Sequence, residues 1–183
     1  MENELARWEI SGLIFVIIIG TILHFIYDWT GQNRIVGIFS PVNESTWEHL
    51  KLLFVPMLLY SVVEYFAVGK DYPNFIVAKT LGIVLGMLVI VTVFYTYTGI
   101  VGQHYLWADI LTFILGVAVA YAYSRRIINK ADVGTEPQLV AIMIVLVLVA
   151  CFTIFTFYPP HIPLFLDPVS KDYGVSIKVL SHQ

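Results

Sequence analysis

Between residues 39 and 54 the chain reads FSPVNESTWEHLKLLF, which sets Glu44, Glu48 and His49 at the head of an apolar run. Other imidazoles and carboxylates occupy similar places: His24 and Asp28 close one apolar run, and His104 and Asp109 open another. Oxygen and imidazole donors gathered without a thiolate are the ligand set of a divalent ion such as zinc, manganese or iron. An ion held with an open position activates water against an ester, amide or phosphate. Inside a helical bundle the same groups serve a second chemistry, taking up and releasing protons in a carrier. HExxH, GxSxG and Walker A patterns are all missing from the sequence, so no enzyme class is marked by its own motif.

Spacing sorts these residues into roles. His24 and Asp28 stand four apart and share a helix face, where a carboxylate beside an imidazole fixes the tautomer for ligation or proton transfer. His49, Leu53, Pro56, Tyr60 and Glu64 fall in one sector at 100° per residue, and Asp109, Thr112, Gly116, Ala120 and Ser124 form a small, polar face on another helix. These two faces are expected to line a cavity. The candidate metal ligands are therefore His24, Asp28, His49 and His104, and the candidate catalytic carboxylates are Glu44, Glu48 and Asp109. Structural roles compete for two of them. STWE over residues 45–48 fits a capping box, in which Ser45 accepts from the amide of residue 48 and Glu48 reaches back; Glu44 suits the positive end of a helix dipole. Glu64 is expected to extend toward Lys70. His161 among prolines and Asp167 before Pro168 read as turn chemistry. Cys151, the lone cysteine, reads as an apolar filler.

The elements that position these groups follow from composition. Of 183 residues, 58% are hydrophobic and 13% charged, with a mean hydropathy of +0.82, against roughly 45–50% and about 25% in soluble domains. Runs such as ISGLIFVIIIGTILHFIY (10–27) and QLVAIMIVLVLVACFTIFTFY (138–158) reach the ~20 residues that span a bilayer. The chain is expected to be all-α: a polytopic membrane protein of five transmembrane helices, about 9–28, 48–67, 75–97, 105–124 and 138–158, in one bundle and one domain. Continuous apolar runs exclude a β-barrel, which needs alternation. Gly82 with Gly86, and Gly116 with Ala120, are steps at which helices approach closely in lipid. Residues 159–183 are too polar for a sixth span and form an extracytoplasmic tail.

Odd helix number puts the termini on opposite sides. Arg7, Lys70, Lys79, Arg125, Arg126 and Lys130 fall on the N-terminal side, and Arg34, Lys51, Lys171 and Lys178 on the other. This bias places the N-terminus in the cytoplasm and the C-terminus outside the cell membrane. No basic block is long enough to bind nucleic acid.

The stretches HFIYDWTG (24–31), SPVNESTWEHLKLLF (40–54) and PPHIPLFLDPVSKDYG (159–174) together resemble a family of small, uncharacterised prokaryotic integral membrane proteins. That resemblance implies a membrane protein of this length and adds no chemistry. The residues themselves point first to a metal-dependent hydrolase, with a divalent ion such as zinc, acting from the bilayer on a lipid or lipid-linked substrate. The alternatives are a small proton-coupled carrier using the same cluster with Tyr60 and Glu64, and a non-catalytic membrane subunit.

Overall fold

The computed structural model describes residues 2–130 and 132–175; the end of the expected tail, with Lys178 and His182, lies outside the described residues. The chain is helical, with five helices long and apolar enough to cross a membrane, packed together. In order they are α1 (Glu2–Trp29), a single-turn α2 (Arg34–Gly37), a short α3 (Thr46–His49) running through Leu50 into α4 (Lys51–Ala67), α5 (Phe75–Val101), α6 (Leu106–Ile128) and α7 (Thr135–Phe157). Leu50 keeps helical dihedrals, so Thr46–Ala67 acts as one membrane-length rod. Several helices overrun the apolar runs that announce them. α5 continues to Val101 and stops at Gly102, whose φ of +83° is left-handed and whose amide donates to the Thr98 carbonyl. Glycine takes that conformation without a Cβ penalty.

The tightest packing joins α5 to α6. The two small-residue steps face each other: Gly86 lies against Gly116 and Ala120, and Gly82 against the Ala120 carbonyl. The polar face expected on the fourth span is thus partly spent on helix contact, and its Gly116–Ala120 portion does not line a cavity with the second span. α1 packs on α4 and α6, and α7 leans on α5. Leu53, Met57, Ile83, Met87, Val117 and Phe152 form the centre of the bundle. Outside it, α7 exposes Leu139, Met143, Leu146 and Val147, among others. Apolar side chains exposed all along a helix suit a hydrocarbon surround better than water.

Two lysines are buried inside this apolar frame. Lys51 is 0% exposed, and its ammonium donates to Glu48 Oε2 at 2.6 Å, Thr156 Oγ1 at 2.6 Å and the Gly37 carbonyl at 2.7 Å. At the other end of the bundle Lys79 lies 2.9 Å from Glu9 Oε1 and 2.7 Å from Glu64 Oε2. Glu64 therefore turns inward to Lys79; Lys70, expected as its partner, sits over the Phe66 ring.

A side chain at Gly86 would push a Cβ to 2.8 Å from the Gly116 carbonyl, whereas a Cβ at Gly99 meets nothing within 4 Å. Gly86→Leu should therefore cost about 1–3 kcal/mol, as overpacking does, and lower the thermal midpoint in detergent, while Gly99→Leu leaves it unchanged or higher.

Candidate functional site

The end of the bundle that carries the C-terminus of α1 and the N-termini of α3 and α6 gathers the histidines. Its geometry begins in the turn before α3. Ser45 is extended, and its hydroxyl accepts from the Glu48 amide, so the helix starts there. The rest of the expected capping box is not formed. Ser45 N donates to Asn43 Oδ1, and Glu48 reaches past it to accept from Val42 N at 3.0 Å. With Asn43 and Glu48 bracing the turn, Glu44 projects from it and His49 follows one turn along the helix.

Three side chains meet there. Glu44 Oε2 is 3.4 Å from His49 Nε2, Glu44 Oε1 is 3.9 Å from His24 Nε2, and the two imidazole centroids are 5.1 Å apart. Each residue offers one ligand atom, and all three atoms lie within 4.8 Å of one another. His49 Nδ1 is 2.9 Å from the Ser45 carbonyl. A carbonyl only accepts, so Nδ1 carries the proton and Nε2 is directed at Glu44. His24 Nδ1 is buried and has no hydrogen-bond partner among the described residues. When His49 carries a second proton, on Nε2, its hydrogen bond holds the Glu44 carboxyl below the usual glutamate range; partial burial opposes this, and charge on His49, His24 and His104 adds to it.

Not all the residues put forward from the sequence join this group. Asp28 stands apart: in the last turn of α1 it is exposed, and its Oδ1 accepts from Gln32 rather than from His24. The four-residue spacing gives a shared face, but the chain leaves the helix at Trp29 and the side chain follows the turn. Glu48 also stands apart. It is 2% exposed, with one oxygen held by Lys51 and Val42 N and the other 3.1 Å from the Thr156 hydroxyl. A carboxylate so fully paired holds the fold and is not free to move a proton. His104 does not reach the other histidines either. Its Nδ1 lies 3.0 Å from Asp109 Oδ2, and Tyr97 donates to the other Asp109 oxygen, which makes a separate Tyr97–Asp109–His104 group.

A cavity of about 300 Å³ lies between the two groups. Glu44 and His49 stand on one wall and His104 and Asp109 on another; Ile90, Phe94 and Phe113 make the lining largely apolar. Pro168 and Val169, from the chain after α7, close one side. Asp167 sets that turn by accepting from the Val169 and Ser170 amides, and Asn43 Nδ2 ties it down by donating to the Gly174 carbonyl. His161 stacks on Tyr173 at 4.5 Å, away from the cavity lining. Sequence reasoning passed over Tyr97 and the pair Glu9–Lys79. The last of these had a visible signature: an acid at the start of one apolar run and a base about a turn inside the start of another on the same side.

A model of a family of unknown function, DUF6512, matches residues 1–175. No curated protein matches the chain, and no solved structure does.

Two outcomes follow from this geometry. Removing either partner of the Lys51–Glu48 pair leaves an uncompensated buried charge, so Glu48→Ala or Lys51→Met should cost about 3–5 kcal/mol of stability; the double change to Leu and Met should recover most of it. A denaturation series in mixed micelles checks this. For Glu44, whose folded value is lowered, the contribution to stability is complete above the ordinary glutamate range and is lost as pH falls through the lowered value. A carboxyl carbon NMR titration should place Glu44 below that range, and His49→Ala should bring it back up.

Proposed function

We propose that this chain, which belongs to the family of unknown function DUF6512, is a membrane enzyme that binds a divalent ion through His24, Glu44 and His49 and hydrolyses a lipid or lipid-linked substrate. The observation that carries this reading is the convergence of three ligand atoms within 4.8 Å on the rim of an apolar cavity. Tetrahedral ligands at about 2.0–2.1 Å from zinc stand roughly 3.3 Å from one another. The Glu44 Oε2–His49 Nε2 separation of 3.4 Å already matches. His24 Nε2 lies nearest the other carboxylate oxygen, at 3.9 Å, and one atom from each residue makes a set within 4.8 Å, so binding would draw the three together by up to about 1.5 Å. Charge argues the same way. With Nδ1 committed to the Ser45 carbonyl, neutral His49 turns a lone pair toward a carboxylate, and a proton or a cation between them relieves that repulsion.

Two imidazoles and one carboxylate are the donor set of catalytic zinc and of non-haem iron. The ion, when bound, would supply an activated water and a Lewis acid. The remaining steps belong to the chain. On this reading Glu44 is a ligand rather than a catalytic acid. Asp109, held by Tyr97 and His104 on the opposite wall, accepts the proton that leaves the nucleophile and returns it to the leaving group. Ile90, Phe94 and Phe113 seat the apolar part of the substrate and exclude water.

The site would face outward. Lys51 and Lys79 are buried in ion pairs, so they drop out of the loop charges. Arg7, Lys70, Arg125, Arg126 and Lys130 then oppose Arg34 and Lys171 among the described residues, a bias that holds the histidine end on the extracytoplasmic side. The carrier reading adds Tyr60 and Glu64 to the same cluster, and these two lie away from this cavity: Glu64 is buried against Lys79, and the half-buried Tyr60 is hydrogen-bonded to Ser11 and the Trp8 carbonyl.

Protein purified without chelator, or reloaded with zinc, should contain close to one equivalent of metal by elemental analysis. His49→Ala and Glu44→Gln should each lower that content at least tenfold. His104→Ala should keep the metal while losing hydrolysis of esterified lipids in micelles. Absence of metal from folded, zinc-exposed protein would overturn the reading.

A further inference from the structure

At the end of the bundle opposite the histidines, two carboxylates share a single lysine. Glu9 of α1 and Glu64 of α4 are 3% and 0% exposed, and Lys79 of α5 lies between them at 2.9 and 2.7 Å. The ammonium hydrogen-bonds to Glu9 and makes an ion pair with Glu64, over whose oxygens no hydrogen bond is aligned. It is also covered by the Phe75 ring at 5.2 Å and the Tyr121 ring at 4.9 Å. From α6, the Ser124 hydroxyl approaches Glu9 Oε1 at 3.4 Å.

The group is short of one positive charge. Two carboxylates against one ammonium leave a net charge of −1 in a place that water does not reach, and no other ion pair to Glu9, Glu64 or Lys79 exists among the described residues. Hydrogen bonding is short as well: Glu9 Oε2, Glu64 Oε1 and the buried Tyr121 hydroxyl lack partners among the described residues, and Glu64 Oε2 has only the ammonium. Tyr121 is 3% exposed, and its ring already caps the lysine. Tyr60, the remaining titratable neighbour, is committed: its hydroxyl lies 2.6 Å from Ser11 Oγ and donates to the Trp8 carbonyl.

We propose that Glu9 and Glu64 hold one exchangeable proton between them, so that the Glu9–Lys79–Glu64 group is a buried proton-binding site. A proton cancels the surplus charge, as it does in other carboxylate pairs that share a site. It also converts a bare acceptor into a donor, and the unpartnered carboxylate or tyrosine oxygens can receive that donor. A metal cation fits poorly. It would need several oxygens around it, and here both carboxylates are already within 3 Å of an ammonium that would repel it. The neighbouring cleft of about 270 Å³, which carries Lys79 and Ser61 in an otherwise mostly apolar wall, does not include either carboxylate. Four helices meet at this proton, so its departure places a charge at the junction of α1, α4, α5 and α6. The site is independent of the metal centre and would stand if that reading failed.

The test is infrared spectroscopy of the purified full-length chain in detergent, with buffers exchanged between H2O and D2O. The wild type should show the carbonyl stretch of a protonated carboxylic acid at pH 7, shifted by deuterium. In Glu64→Gln or Glu9→Gln the remaining carboxylate is matched by Lys79 and ionises, so the band should vanish completely in either variant, although each still keeps one of the two acids. It should persist in Glu44→Gln and should be the same in sodium and potassium. Glu64→Asp, which keeps the acid, should move the band and not abolish it. No band in the wild type between pH 5 and 9, a band surviving in both glutamine variants, or a band displaced by sodium would each overturn the proposal.

Discussion

The ammonium of Lys51 is the fixed point of the histidine end. An uncompensated charge in such a place costs several kcal/mol even after relaxation, and here four oxygens from three parts of the chain surround it: Glu48 beside it, the Gly37 and Ser40 carbonyls, and Thr156. Because Glu48 also accepts from Val42 N, the same interaction sets the turn over residues 42–45. Glu44 and His49 hang from that turn. The most polar stretch of the sequence thus divides its work, one carboxylate fixing the backbone and its neighbour four residues earlier facing the cavity.

The two buried lysines show how charge count separates a structural pair from a reactive one. Lys51 is matched by one carboxylate, and its remaining donors find a hydroxyl and carbonyls, so the group is neutral and satisfied. Lys79 is matched twice over, and several of the surrounding oxygens have no hydrogen-bond partner. Both groups are equally buried and similar in distance. What differs is whether anything is left for a further cation to do.

The five spans were legible in the sequence because each is an unbroken apolar run of membrane length, and that property needs no knowledge of partners. The meeting of His24 with His49 was partly legible, since the end of one apolar run and the start of the next fall at the same end of the bundle. The pairing of Glu44 with them was not separable from that of Asp28: both lie at the same depth, and only the path of the chain after Trp29 decides which carboxylate turns inward. Glu48 reads in the sequence as a catalytic carboxylate or a capping-box residue; its burial against Lys51 was not legible, because nothing local shows that α7 brings Thr156 over it. Glu9 and Lys79 are 70 residues apart, so their contact has no local trace beyond matched depth.

Asn43 connects the site to the end of the described chain. Its side chain accepts from Ser45 N, shaping the turn that carries Glu44, and donates to the Gly174 carbonyl, holding the segment whose Pro168 and Val169 wall the cavity. Gly174 takes a φ of +68° to present that carbonyl, with Pro159 packed against it, a conformation a larger residue would strain. Phe165 pins the same segment by sitting against Trp47 at 4.9 Å, within the turn that His49 closes. The polar rim and the apolar wall are therefore not independent parts. The 163–174 segment that walls the cavity is held to the turn carrying Glu44 by two contacts, the Asn43 amide on Gly174 and the Phe165 ring on Trp47, so the wall and the three converging side chains share one framework.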